Sequence, residues 1–191
     1  MACNIANNVS IRLMSGGHTF SNKDIETIKS LGDGVVVEFV TAKTVLRPEE
    51  GFDMANAQSD LEATGYVVAE NEVVISSVAE SGRVTVMAVN AACVEAITAL
   101  GVTLCYSSPL TSGDDVAAGS VIALYDDVLY VRVYSEGLRF AEAIGVENDA
   151  DILFYLESIN RVYGIYNMYA RVEGDVERLR RVCRKSFKTK F

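Results

Sequence analysis

Histidine is nearly missing from this chain, with His18 its one example. A single imidazole excludes the H-E-x-x-H arrangement and any two-histidine metal site. A triad built on His18 is poorly placed, because His18 follows Gly16 and Gly17 and reads as an exposed turn residue. No glycine is followed by lysine, so there is no G-x-x-x-x-G-K-[ST] phosphate loop. Gly32 and Gly34 do not extend to G-x-G-x-x-G. Cys3, Cys93, Cys105 and Cys183 are scattered and form no C-x-x-C pair. They are expected to be free, largely buried thiols rather than a disulfide or metal set. The two prolines and the 50% hydrophobic content exclude a disordered chain. No apolar run approaches the roughly 20 residues that span a bilayer. The segment Met1 to Met14 lacks the basic start and apolar core of a signal peptide, so a cytoplasmic setting without membrane contact is expected. Without export, the Asn8-Val9-Ser10 sequon has no meaning.

A length of 191 residues suits one ordinary domain or two small ones. Such a chain buries about 70% of its unfolded surface and needs no staple. The net charge of −9 disfavours nonspecific nucleic-acid binding. The charge is uneven: residues 178–191 hold seven bases and no acid, leaving −16 on the remainder. A basic tail with Arg178, Arg181, Arg184, Lys185 and Lys188 on an acidic body has three outlets: the body itself, a partner, or a phosphate polymer. Its plain reading is a solvated helix face with a frayed end.

The first half reads as a strand over 8–14, a turn at 15–18 and a short return strand. Strands follow at 35–40 and 44–46, then a helical segment at 52–63 and strands at 72–78 and 83–89. Asn90 can cap a helix ended by Gly101, after which Val102 to Tyr106 resumes as a strand. Residues 83–106 thus read as the crossover of a parallel pair. Residues 107–119 (SSPLTSGDDVAAG) have the composition of a linker.

In the second half, Asp126-Asp127 is a turn between strands at 120–125 and 128–135. That register sets Leu124 opposite Leu129 and Ile122 opposite Val131 on an apolar face. The other face carries Ala123, Tyr125, Val128, Tyr130, Arg132 and Tyr134. A third strand is expected at 138–144, a helix at 149–163 with Ile152, Leu153, Leu156, Ile159 and Tyr163 on one stripe, a strand at 166–172, and a final helix after Gly174-Asp175. The order β-β-β-α-β-α is that of the RNase H-like fold. The first half can be read the same way, and two such lobes in tandem are the plan of actin-like ATPases. The expected organisation is a mixed α/β chain with lobes at 1–108 and 120–191 and a linker at 109–119.

Certain blocks carry a further likeness. Val9 to Leu13, Thr41 to Phe52, Tyr130 to Phe140 and Asp149 to Tyr155 resemble an uncharacterised bacterial family, the domain of unknown function 3822 family. It is similar in architecture to the actin-like ATPases. The resemblance runs along nearly all of the chain, in short blocks of which none is a catalytic signature.

An actin-like ATPase needs an Asp-x-Gly hairpin in each lobe, with the Asp on Mg²⁺ and the Gly admitting phosphate. In this alignment Arg12 and Met14 stand at those places in the first lobe, with Gly16 and Gly17 left as a turn. Ala123 and Tyr125 stand there in the second, where a tyrosine fills the space of a phosphate. The adenosine-side glycine pair is reduced to Gly174-Asp175. The resemblance therefore implies a pseudo-ATPase without catalytic residues, cofactor or metal. A one-residue slip would instead bring Asp126 or Asp127 to the phosphate. A nuclease of the same fold would need carboxylates converging on two metals, and Arg12 stands where the first belongs.

The reading that follows is a non-catalytic interaction or scaffold protein with a protein partner. Its candidate surface is Tyr125, Tyr130, Arg132 and Tyr134, of the types enriched at interfaces. The plainer reading is that helices cover this face. A Mg-nucleotide site between the lobes is the alternative, and nucleic-acid association through the basic tail a third reading.

Overall fold

In a computed structural model, the structure describes residues 10–14, 22–31, 34–113 and 115–184. The chain divides into two compact units, 1–112 and 113–191.

In the first unit, β1 (Ser10–Met14), α1 (Asn22–Leu31) and β2 (Val35–Val40) come in succession, and β1 lies parallel to β2. Next are β3 (Thr44–Pro48), α2 (Ala57–Glu62), β4 (Glu72–Ser76) and β5 (Arg83–Asn90). The three strands form an antiparallel sheet in the order β3-β5-β4. Then α3 (Ala91–Thr98) leads to β6 (Leu104–Ser107), which joins the parallel sheet in the order β1-β2-β6.

Strand β5 organises this unit. Its run VTVMAV is apolar at almost every position because both faces are covered. Val86 and Ala88 pack with Val45 and with Ala57 and Leu61 of α2. Met87 and Val89 point the other way, into a core with Val37 and Phe39 of the parallel sheet, Ile28 of α1 and Ile97 of α3.

The pairing corrects one expectation. The elements over 83–106 are those read from the sequence, and Asn90 does cap α3, its Oδ1 accepting from Cys93 N at 3.2 Å. But β5 and β6 lie in different sheets, β5 between β3 and β4 and β6 beside β2. Helix α1 was not foreseen. The return strand expected after residue 18 starts outside the described residues, and β1 has β2 as its partner.

The second unit begins with β7 (Ala118–Tyr125), β8 (Val128–Ser135) and β9 (Leu138–Gly145), an antiparallel meander. Helix α4 (Asp149–Tyr163), β10 (Ala170–Gly174) and α5 (Val176–Cys183) follow, and β10 pairs parallel with β7. The sheet order is β10-β7-β8-β9. This is the element order expected for the second half, and the register is the expected one, with Ile122 opposite Val131 and Leu124 opposite Leu129. The last strand is displaced: residues 165–167 form a tight helical turn, and the strand starts at Ala170.

Helix α4 has firm ends. Asn148 accepts from the backbone of Ala150 and Asp151, while Asp151 takes the Asn148 N–H in return, a reciprocal cap. Gly164, at φ 67°, stops it in the left-handed region. Its inward residues Ile152, Leu156 and Ile159 meet Leu179 and Cys183 of α5 and the Ile122–Leu124–Leu129–Val131–Val133 face of the sheet.

Cys93 and Cys183 are outside any disulfide, and burial pushes the Cys183 thiol up to about 12, leaving it a packing residue. Cys105, buried on β6, is disulfide-bonded to a partner outside the described residues, which corrects the expectation of free thiols throughout.

Thiol titration of the protein unfolded without reductant is expected to find two reactive cysteines of the four, and four after reduction. Leu156→Ala, which empties the contact of α4 with the sheet, is expected to cost about 2–5 kcal/mol in urea unfolding.

Candidate functional site

The positions expected to hold phosphate loops are occupied by groups already engaged with the protein. On β1, Arg12 stands opposite Glu38 of β2 in register, and their side chains form an ion pair. Glu38 is buried while Arg12 is about one-third exposed, so the arginine supplies the counter-charge that a buried carboxylate needs. Met14 is the last residue of β1. Gly16 and Gly17 lie outside the described residues.

In the second unit, Asp126 and Asp127 form the two-residue turn between β7 and β8, Asp126 taking φ 53°. Left-handed backbone suits aspartate better than most residues, since its short side chain bonds locally. Both carboxylates are exposed at the turn, and Asp127 Oδ1 is 3.9 Å from Arg178 Nη1. Ala123 is buried opposite Tyr130 on one side and Glu173 of β10 on the other. Tyr125 is buried at the end of β7, its ring 6.3 Å from that of Tyr130 and its hydroxyl donating to Glu173 Oε2 at 3.3 Å.

Gly174 has a plain structural reason. A Cβ there would lie 2.0 Å from the carbonyl oxygen of Leu124 and 2.8 Å from the Tyr125 ring. Only glycine lets the end of β10 approach β7 this closely, at φ 74°, and the next N–H, that of Asp175, donates to Leu124 O at 2.8 Å. Asp175 then caps α5 by accepting from Arg178 N.

The four residues read as a partner surface share one face of the sheet, as expected. They are also buried: Tyr125, Tyr130, Arg132 and Tyr134 are 7%, 1%, 2% and 1% exposed. They therefore form no exposed partner surface, and the tyrosines serve as packing. Tyr134 also donates to Asp115 Oδ1 at 2.8 Å.

The basic tail is partly committed to the body. Arg178 Nε and Arg181 Nη2 converge on Asp149 at 2.7 and 3.2 Å, tying α5 to the start of α4. The hydrogen bond from Arg178, helped by Arg181, holds the Asp149 carboxyl below the usual aspartate value. Arg184 is exposed, and Lys185 and Lys188 lie outside the described residues. Sequence pattern could not show this, because Asp149 and Arg178 are brought together across 29 residues.

Among the described residues no group of three or more His, Cys, Asp or Glu side chains is placed to hold a metal. No helix there is long and apolar enough to cross a membrane. A pocket in the first unit is lined by Arg47, Pro48, Phe52, Asp53 and Asp60, with Arg47 Nη2 held by Asp60 at 2.9 Å.

No family model and no curated protein matches the chain, so the family resemblance carried by the sequence blocks gains no support there. Among solved structures, the chain is similar to a Bacteroides thetaiotaomicron protein described as having an actin-like ATPase fold and unknown function. The TM-score is 0.63 at 14% identity, over 80% of this chain and 65% of that one. The chain thus spans just under two thirds of that protein. A second match is the cytoplasmic domain of EpsL, an inner-membrane component of the type II secretion system of Vibrio cholerae, at TM-score 0.47 and 14% identity over 95% of each chain. At such identities the first likeness speaks for fold alone: a mixed α/β chain with several sheets, similar to a protein of actin-like ATPase fold.

Gly174→Ala is expected to destabilise by more than about 2 kcal/mol, since it combines a left-handed backbone with a clash against a carbonyl. Gly164→Ala, with open space around the same type of backbone, is expected to cost about 1–2 kcal/mol. Chemical denaturation of the two variants measures the difference.

Proposed function

We propose that this chain is a non-catalytic interaction or scaffold protein on a degenerate actin-like ATPase fold. In this reading the two units descend from RNase H-like lobes, near 1–108 and 120–191 with 109–119 between them, and the chain is kin to the domain of unknown function 3822 family. The observation that carries the reading is the filling of the positions where Mg²⁺ and phosphate would be held. Arg12 neutralises Glu38, the Tyr125 phenol is packed against Tyr130 and bonded to Glu173, and Gly174 is taken up by a backbone contact. An arginine at the metal position repels a cation, and a buried phenol takes the volume of a phosphate. A fold that has given up its nucleotide keeps its surfaces for partners.

Nucleic-acid association through the tail is weakened by the engagement of Arg178 and Arg181 with Asp149. A cytoplasmic setting fits poorly with a bonded Cys105, since disulfides persist in oxidising compartments.

Thermal unfolding with millimolar Mg·ATP, Mg·ADP and metal-free ATP tests the proposal. A ligand at 100 times its Kd stabilises by about 2.7 kcal/mol, several degrees for a chain of this size. No shift is expected. A magnesium-dependent rise would overturn the reading and move Asp126 and Asp127 to the phosphate.

A further inference from the structure

The outer face of α4 carries the two most exposed large apolar side chains among the described residues of the second unit, Phe154 at 64% and Val162 at 74%. Single exposed apolar residues are ordinary, but these two share one helix and one side of it. Successive helical residues turn by about 100° and rise about 1.5 Å. Phe154 therefore lies about 40° to one side of Ser158 and about 6 Å before it, and Val162 about 40° to the other side and about 6 Å after it. The inward residues Ile152, Leu156 and Ile159 occupy the opposite side, in the core.

Ser158, between the two, is small, and its hydroxyl already donates to the carbonyl oxygen of Phe154 at 2.8 Å. Covering it leaves no polar group unpaired, so this strip is dried at little cost. Arg161 beside it makes no ion pair among the described residues. Charge also runs in one direction along α4, with Asp149 and Asp151 in its first turn and Arg161 in its last.

A helix marked in this way is complementary to itself. A two-fold axis through Ser158, perpendicular to α4, brings Phe154 of each copy onto Val162 of the other. The same operation sets Arg161 over the half-buried Tyr155 ring, and a guanidinium is attracted to an aromatic face. The two helices then run antiparallel, so the basic end of each lies along the acidic half of its partner and their dipoles oppose. Parallel packing would set Arg161 against Arg161 and Asp151 against Asp151.

We propose that α4 is a dimer interface, docking antiparallel on α4 of a second copy of this chain about Ser158. One helix face is small for an interface, so the dimer is weak, with a Kd on the order of 100 μM. The pairing uses α4 alone and does not depend on whether nucleotide binds.

Sedimentation velocity of the full chain from about 5 μM to about 1 mM is expected to show monomer giving way to dimer. Phe154→Lys and Val162→Asp are each expected to weaken association about tenfold or more. Val67→Asp, at a position 75% exposed in the first unit, is expected to leave it intact. All three positions are exposed, and circular dichroism is expected to show the variants folded. Mixing the Phe154→Lys chain with the Val162→Asp chain is expected to restore association as mixed dimers, because one contact is then natural and the other an ion pair. A chain that stays monomeric throughout would leave this face to another occupant and overturn the proposal. So would a dimer that survives both single variants, or mixing that yields no mixed dimer.

Discussion

The two-residue turn at Asp126-Asp127 sets the parity of the hairpin that follows, and the second unit is built on that parity. With Leu124 opposite Leu129, the even residues of β7 and the odd residues of β8 fall on one side, where Ile122, Leu124, Leu129, Val131 and Val133 are buried with residues of α4 and α5. A slip of β8 by one residue would turn that strand over and send Arg132, Tyr130 and Tyr134 into the helix-facing core. The same parity that makes the core therefore places Arg132 on the opposite face, between Val121 and Ala141 of the neighbouring strands. Core formation and the buried arginine are two results of one register.

A similar economy holds at the junction of β7 and β10. Gly174 lets two backbones meet, Asp175 donates to Leu124 and caps α5, and Tyr125 closes over the junction with its hydroxyl on Glu173. Each of these residues has its partner within the protein.

The first unit shows the limits of periodicity. Its β5 run is apolar throughout because it is covered on both faces, and an unbroken apolar run does not say which strands lie beside it. The succession β5-α3-β6 has the outline of a parallel crossover, yet β5 is held in an antiparallel sheet while β6 lies beside β2. Helix α1, polar over most of its ten residues (NKDIETIKSL), carried too few apolar positions to stand out.

What the sequence determined by itself is what acts over a few residues. The Asp126-Asp127 turn, the span of α4 with its acidic start and Gly164 stop, and the stripe Ile152–Leu156–Ile159 were legible because turn chemistry, capping and the 3.6-residue period are local. The tertiary structure decided the rest. Which sheet receives β6, why Gly174 must be glycine, the pairing of Arg12 with Glu38 and of Asp149 with Arg178, and the burial of the tyrosine face all depend on groups far apart in the chain. A residue's type shows what it can bond to, but whether water, a carboxylate or nothing lies beside it is set by packing. That is why Arg132, read from sequence as a candidate partner-surface residue, is a buried charge.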